Sequence, residues 1–186
     1  MLGAVPAFAQ NSDVTQPGDA LIPSSSRSPG SEGVANAIDN QPTKYLNFDS
    51  GQGGFIPSGF IVTPSVGSTH VTGIALQSAN DAQERDPLAF TLEGSNDNVI
   101  SNFNSGNWTM IATVSGIPSW PSVFGPTDPE HRFKTQRFTF PNDRAYKHYR
   151  WIVTATQTTP NGCCMRKSRL RTLYARSMTR KRWQRR

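Results

Sequence analysis

Glycine and proline interrupt this chain throughout its length, which constrains its fold more than any other feature. The 186 residues contain 15 Gly and 14 Pro, and both residue types destabilise the interior of a helix. Between them lie short runs rich in β-branched and aromatic residues. Such runs are typical of strands joined by turns. The chain is therefore predicted to be all-β, and a coiled coil is excluded.

Six runs fit strands, and one helical turn fits Val34–Ile38. The predicted strands are Phe60–Pro64, His70–Gln77, Phe90–Ser95, Thr109–Val114, Gln136–Phe140 and His148–Thr156. Strands at fairly regular spacing with long polar loops favour a β-sandwich or jelly roll. No run approaches the ~18–20 apolar residues that span a bilayer, so a transmembrane protein is excluded.

The net charge of +6 comes from one segment of the chain. Residues 1–165 hold 9 basic and 13 acidic residues, whereas residues 166–186 hold 10 basic residues and no acidic one. One interpretation is a basic arm for nucleic acid or an anionic glycan. Its only aromatic residues are Tyr174 and Trp183. Two rings are too few for base stacking, so nucleic acid is a poor candidate partner.

The first residues are typical of the end of a signal peptide. Met1–Ala9 closes on Ala7-Phe8-Ala9, a small-x-small cleavage pattern, and this pattern predicts export. Residues 10–27 are rich in Ser, Pro, Asp and Gln without periodicity. They are expected to form a disordered or loosely packed spacer, with the folded domain covering residues 28–165.

Four segments then carry a resemblance to a known family. VANAIDNQPTKY at Val34–Tyr45 resembles the early A-x-D-x-x-x-x-T-x-W loop of discoidin-like domains. RDPLAFTLEGSND at Arg85–Asp97 resembles their RDP-x-x-(aromatic)-x-L-x-GSND strand and turn. Trp108–Ile111 is similar to their W-x-x-I strand, and Phe138–Trp151 to their F-x-F-x-N…Y-x-x-Y-R segment. The ordered set is more specific than any one piece.

The resemblance implies both a fold and a class of function. Discoidin-like domains, also called galactose-binding-like or coagulation-factor type C domains, are eight-stranded antiparallel jelly-roll β-sandwiches. The chain is similar to secreted bacterial carbohydrate-binding modules. These are non-catalytic and bind carbohydrate or a cell-surface glycan through loops at one end of the sandwich, often with a structural calcium ion.

The early loop supplies the oxygen ligands that calcium prefers. Asp39 offers a carboxylate, Thr43 a hydroxyl, and Asn36 and Gln41 backbone carbonyls. Similar domains add a glutamate from the final strand. The alternative is that Asp39 and Thr43 only cap a turn.

That final strand is not recognisable, since the resemblance ends at Met165. Related domains close with a strand similar to M-Q-I-A-E-V-E-L, whereas residues 166–186 form a basic tail without acid. Six-fold degenerate codons allow Lys167–Arg171 to be read in another frame as Val/Ile-Glu-Val/Ile-Glu. One hypothesis is therefore a frameshift just after Met165, and the other is a functional basic arm. Both predict that the final strand is missing or altered.

Two long loops offer candidate sugar-binding residues. Sugar sites place an aromatic ring against the apolar face of a pyranose and polar groups at its hydroxyls. Asn98–Asn107 and Gly116–Arg132 are long enough to be functional. The predicted ligand-binding residues, taken as exposed or as lining the same face, are Asn80, Arg85, Trp120, Phe124, His131 and Arg132. Alternatively, Trp120 covers the core, where Trp108 and Trp151 are also predicted to lie.

Catalysis has little support in the sequence. Asp81, Glu84 and Asp86 could be imagined as glycosidase carboxylates, but together with Arg85 they more simply form a charge-paired turn. No nucleophile, base and orienting group occur in a recognisable set. The competing function is that of an adhesive surface protein mediating protein–protein contacts, or anionic-ligand binding through the basic tail.

Overall fold

Ten strands form two antiparallel sheets in the computed structural model, which describes residues 12–48, 58–127, 130–157 and 166–175. The strands are β1 (Ser12–Asp13), β2 (Ala20–Pro23), β3 (Tyr45–Asn47), β4 (Ser58–Thr63), β5 (Val71–Gln77), β6 (Pro87–Ser95), β7 (Thr109–Val114), β8 (Thr135–Thr139), β9 (His148–Thr156) and β10 (Arg166–Ala175). The front sheet has the order β1-β10-β5-β8, with β3 also paired to β10. The back sheet has the order β2-β4-β9-β6-β7. The antiparallel β-sandwich is confirmed.

The six strands predicted from sequence are confirmed within three residues at each end. The helical turn at Val34–Ile38 is a 3₁₀ turn over Val34–Ala37. A second 3₁₀ turn covers Gln83–Arg85, and a five-residue helix, α1, covers Trp120–Phe124. Within the described ranges, no helix has the length and hydrophobicity needed to cross a bilayer.

Five aromatic rings connect the two sheets across the core, and we call them the aromatic core. Tyr45 of β3 meets Phe60 of β4 at 6.1 Å between ring centroids, and Phe60 meets Trp151 of β9 at 5.6 Å. Trp151 meets Phe90 of β6 at 6.3 Å, and Phe90 meets Phe138 of β8 at 5.6 Å. The contacts thus run from the front sheet to the back sheet and return.

The prediction of a loosely packed spacer over residues 10–27 is wrong where the structure describes them. Ala20–Pro23 form an edge strand, in which Leu21 pairs with Val62 and Ile22 with Ile61. The buried Asp19 accepts a hydrogen bond from Ser65 N at 2.9 Å. Four strand residues among Ser and Pro are too short a run for a strand period to show in the sequence.

The closing strand, expected to be missing or altered, is present as a strand of altered, basic sequence. Arg166–Ala175 pairs with β1, β3 and β5, and so lies inside the front sheet. Leu170 pairs with Leu76 and Leu173 with Ile74, two buried core residues, because an irregularity between Leu170 and Thr172 shifts the register. The basic composition of this segment therefore does not prevent it from pairing in the front sheet. The frameshift remains a hypothesis.

Truncation tests the closing strand. A chain ending at residue 165 removes the backbone partner of three strands, so we expect it to lose its cooperative thermal transition in circular dichroism. The matched control ends at Ala175 and should keep that transition. A transition in the shorter chain at the temperature of the full chain would contradict the assignment of β10.

Alkaline pH should destabilise the sandwich through Tyr45. Burial raises the pKa of Tyr45 to about 12 from 10.0, and burial also raises the pKa of Tyr149. A raised tyrosine pKa contributes stability that is full below pH 10 and is lost between pH 10 and about 12. A shift of this size corresponds to roughly 2–3 kcal/mol.

The measurement is the free energy of unfolding by urea, followed from neutral pH to about pH 12. Wild type should lose stability steeply above pH 10. Tyr45→Phe should lose less over the same interval, because among the described tyrosines with a raised pKa only Tyr149 remains. Parallel curves for the two proteins would show that Tyr45 does not carry the effect.

Candidate functional site

One end of the sandwich carries a cavity between two loops. The first loop, residues 78–86, joins β5 to β6, and the second loop, residues 125–134, joins α1 to β8. They meet because the last residue of β5 pairs with the first of β8. We call this space the loop cavity. It measures about 330 Å³ and is lined by Ala82, Gln83, Glu84, Pro126, His131 and Arg132.

The loop cavity brings together two of the predicted ligand-binding residues, His131 and Arg132. Both were expected to be exposed, yet only 3% of His131 and 7% of Arg132 is exposed. Asn80 and Arg85 belong to the first loop, on either side of the lining residues 82–84. Asn80 is exposed and Arg85 is half-buried.

Ion pairs hold the three carboxylates of the first loop. The pairs are Asp81 with Lys44 at 3.1 Å, Glu84 with Arg85 at 3.3 Å, and Asp86 with Arg132 at 3.9 Å. Arg132 Nη1 also donates to the backbone oxygen of Asp81 at 3.3 Å. The loop is thus the charge-paired turn that the sequence favours, and Arg132 ties the two walls of the cavity together.

His131 is held in the second loop by one of its ring nitrogens. Its Nδ1 lies 3.2 Å from the carbonyl oxygen of Gly125. A carbonyl only accepts, so Nδ1 carries a proton and donates to it. Nε2 is buried and makes no hydrogen bond to any described residue.

The prediction that Trp120 presents an exposed stacking surface is wrong. The ring is 0% exposed, and Nε1 donates to the backbone oxygen of Lys134 at 2.7 Å. The alternative that Trp120 covers the core is closer, since the ring belongs to the core cluster. Phe124 is half-buried and packs against that cluster. The short helix α1, capped by the side chain of Ser119, carries both residues.

Phe133 is the exposed aromatic residue that the sequence reasoning missed. It follows Arg132 directly, is 42% exposed, and has a left-handed backbone with φ of 57°. Ala82 of the opposite wall has φ of 53°. Non-glycine residues with positive φ are uncommon, cost on the order of 1–3 kcal/mol each, and concentrate at functional sites. No residue pattern signals such a backbone at a phenylalanine.

The other long loop, Asn98–Asn107, lies at the opposite end of the sandwich, where β6 turns into β7. Phe103 of this loop is buried. The Arg150 guanidinium lies 4.5 Å from the Trp108 ring centroid and 5.7 Å from that of Phe103. Trp108 is therefore half-buried beside a cation and not in the core as predicted, whereas Trp151 is in the core.

The predicted calcium loop holds itself together through Asp39. Its Oδ1 accepts from Gln41 N at 2.8 Å, and its Oδ2 accepts from the Thr43 hydroxyl. Asn40 between them has φ of 57°, which closes the loop tightly. These contacts are those of the alternative in which Asp39 and Thr43 cap a turn. They also place the Asp39 carboxylate and the Thr43 hydroxyl side by side.

The side chain of Asn36 fastens the base of that loop. Its Nδ2 donates to the backbone oxygens of Ser31 at 2.8 Å and Lys44 at 2.9 Å. The oxygens around Asp39 are of the kind that calcium prefers. They include one carboxylate, so they fit a calcium site of low ligand charge. Among the residues that the structure describes, no three His, Cys, Asp or Glu side chains form a metal-binding group.

Comparison with known proteins finds similar structures but no similar sequences. The chain matches no model of a protein family and no curated protein. Solved structures do match, among them a family 32 carbohydrate-binding module from Clostridium perfringens in complex with GalNAc-β-1,3-galactose. The identity is 16%, the match covers 84% of this chain and 95% of that one, and the TM-score is 0.59.

Two further modules of family 32 agree. The module of Streptococcus pneumoniae EndoD is 13% identical, with 89% and 100% of the two chains covered and a TM-score of 0.59. The module of C. perfringens NanJ, in complex with galactose, is 14% identical, with 89% and 98% covered and a TM-score of 0.57. With the sheet order and the cavity loops described above, the resemblance to discoidin-like domains is confirmed: the chain has the galactose-binding-like β-sandwich fold of the family 32 carbohydrate-binding modules.

Proposed function

We propose that this chain is a secreted, non-catalytic carbohydrate-binding module that takes a sugar unit in the loop cavity. The observation that carries the proposal is a polar cavity between two anchored loops, followed by an exposed aromatic ring, on a fold shared with carbohydrate-binding modules. Its volume of about 330 Å³ lies at the small end of ligand sites. This size favours one sugar unit over a long chain.

The lining groups match the chemistry of a sugar. A pyranose presents hydroxyls that both donate and accept, and the cavity is lined by Gln83, Glu84, His131 and Arg132, whose side chains carry donors and acceptors. The neighbouring Phe133 supplies the apolar surface against which the carbon face of a pyranose packs. The described lining residues include one acidic side chain, Glu84, and one that is always cationic, Arg132, a balance that favours a neutral sugar.

The same residues argue against hydrolysis. Glycosidases commonly need two carboxyl groups that flank the scissile bond. Among the described residues that line the loop cavity, Glu84 is the one that carries a carboxylate. The neighbouring Asp86 is buried and ion-paired to Arg132, so it is poorly placed to act as a second. Binding without turnover is the function that this set supports.

The proposal is tested by isothermal titration with galactose and GalNAc-β-1,3-galactose, the ligands of the solved modules. Phe133→Ala should weaken binding about tenfold or more, because an apolar contact of roughly 1.5–3 kcal/mol is lost. The control is Val99→Ala, which truncates an exposed apolar residue at the opposite end. Equal affinities for Phe133→Ala and wild type would remove Phe133 from the site.

A glycan array widens the search to other sugars. Wild type that binds none of them, with calcium present, would overturn the carbohydrate function and leave protein–protein contact as the alternative.

We also propose that residues 36–43, which we call the Asp39 loop, bind a structural calcium ion weakly. Asp39 and Thr43 would supply side-chain oxygens, and Asn36 and Gln41 backbone carbonyls. Calcium would stabilise the loop and take no part in a reaction. A single carboxylate gives low ligand charge, so we expect a dissociation constant of about 10⁻⁴–10⁻³ M.

Thermal unfolding with calcium or with a chelator tests this site. Excess calcium should raise the Tm of wild type, because a ligand that binds only the folded state stabilises it. Asp39→Asn should lose that response, and Asp143→Asn, an exposed control, should keep it. The proposal would be refuted if calcium did not raise the Tm of wild type, or if it raised the Tm of Asp39→Asn and Asp143→Asn equally.

A further inference from the structure

We propose that Lys44 is a positioning residue of the loop cavity and acts through Asp81. The inference rests on the proposed function, since it concerns the affinity of the same cavity. Lys44 belongs to neither cavity loop, because it lies between the Asp39 loop and β3. Its contacts with the first loop nevertheless join that loop to the body of the sandwich.

The ammonium group of Lys44 lies between two carboxylates from distant parts of the chain. Its Nζ is 3.1 Å from Glu32 Oε1 and 3.1 Å from Asp81 Oδ2. The Lys44 side chain is 14% exposed, that of Glu32 21% and that of Asp81 46%. The charges of Lys44 and Glu32 are therefore partly withdrawn from water and are screened less than those of an exposed pair, whereas Asp81 keeps much of its contact with solvent.

The base of Lys44 is fixed before its side chain reaches the first loop. Asn36 Nδ2 donates to the Lys44 backbone oxygen at 2.9 Å. Leu46 N donates to the backbone oxygen of Glu32 at 3.0 Å, which holds Glu32 against β3. Lys44 and Glu32 therefore form one support, and β3 joins that support to the front sheet through β10.

Asp81 passes the constraint to both walls of the cavity. It precedes Ala82, whose left-handed backbone begins the lining segment of the first loop. Its backbone oxygen accepts from Arg132 Nη1 of the second loop at 3.3 Å. Fixing Asp81 thus fixes the start of one wall and a contact of the other.

Removal of the Lys44 ammonium would replace attraction between charges by repulsion. Glu32 and Asp81 would then face each other across the space that Nζ occupies, and like charges repel. This repulsion would push Asp81 outward, and Ala82 is the next residue along the chain. We expect the cavity wall to loosen without unfolding of the sandwich, whose aromatic core is unchanged.

Amide hydrogen exchange measures the loosening without any sugar. The Arg85 and Asp86 amides donate within the turn, to Ala82 O at 2.9 Å and Gln83 O at 3.1 Å. Lys44→Met removes the charge on a side chain of similar length, and these two amides should exchange about tenfold faster. Lys44→Arg keeps a cation and should restore slow exchange. Lys147→Met, an exposed lysine at the opposite end, is the matched control.

Titration with galactose supplies the second readout. If wild type binds galactose, Lys44→Met should bind about tenfold more weakly, with Lys44→Arg and Lys147→Met near wild type. Unchanged exchange at Arg85 and Asp86 in Lys44→Met, or unchanged affinity for a sugar that wild type binds, would overturn the role of Lys44.

The two proposals fail in different ways. Wild type that binds no sugar refutes the carbohydrate function, while hydrogen exchange still decides whether Lys44 positions the wall. If Lys44→Met does not fold, Asp81→Asn breaks the same contact from its more exposed side, and the same two amides report the result.

Discussion

Trp151 occupies the point at which the two sheets are joined. It contacts Phe60 and Phe90 within the back sheet, and these contact Tyr45 and Phe138 of the front sheet. Large aromatic side chains bury much apolar surface at low conformational cost, so a few of them dominate the energetics of a core. Because the sheets are held at their middle, the loops at either end are free to specialise.

The loop cavity depends on two anchors of different physical character. Trp120 anchors the second loop through apolar burial and one hydrogen bond, whereas Lys44 anchors the first loop through charge. The left-handed residue Ala82 follows Asp81, the partner of Lys44, and the left-handed Phe133 precedes Lys134, whose backbone oxygen accepts from Trp120. Strained backbone persists only where its surroundings over-determine it, and the two anchors supply that constraint.

The sequence predicted the long strands and misjudged single aromatic residues. β5, β7 and β9 show in the residue pattern because each alternates or runs apolar over six or more residues. Whether a loop tryptophan points inward depends on contacts distant in sequence, so Trp120 and Trp108 were misplaced. The short β2 has too few residues for a period, and the basic β10 is defined by register with β5 instead of by composition.

The position of β10 has a consequence for how the chain reaches its fold. It follows the other nine described strands along the chain, yet it pairs with β1, β3 and β5 inside the front sheet. Those strands cannot complete their hydrogen bonding until Arg166–Ala175 has been synthesised. Contacts of such long sequence separation slow folding. The two sheets therefore become complete at different times: every strand of the back sheet has been made before β10, whereas the front sheet closes last.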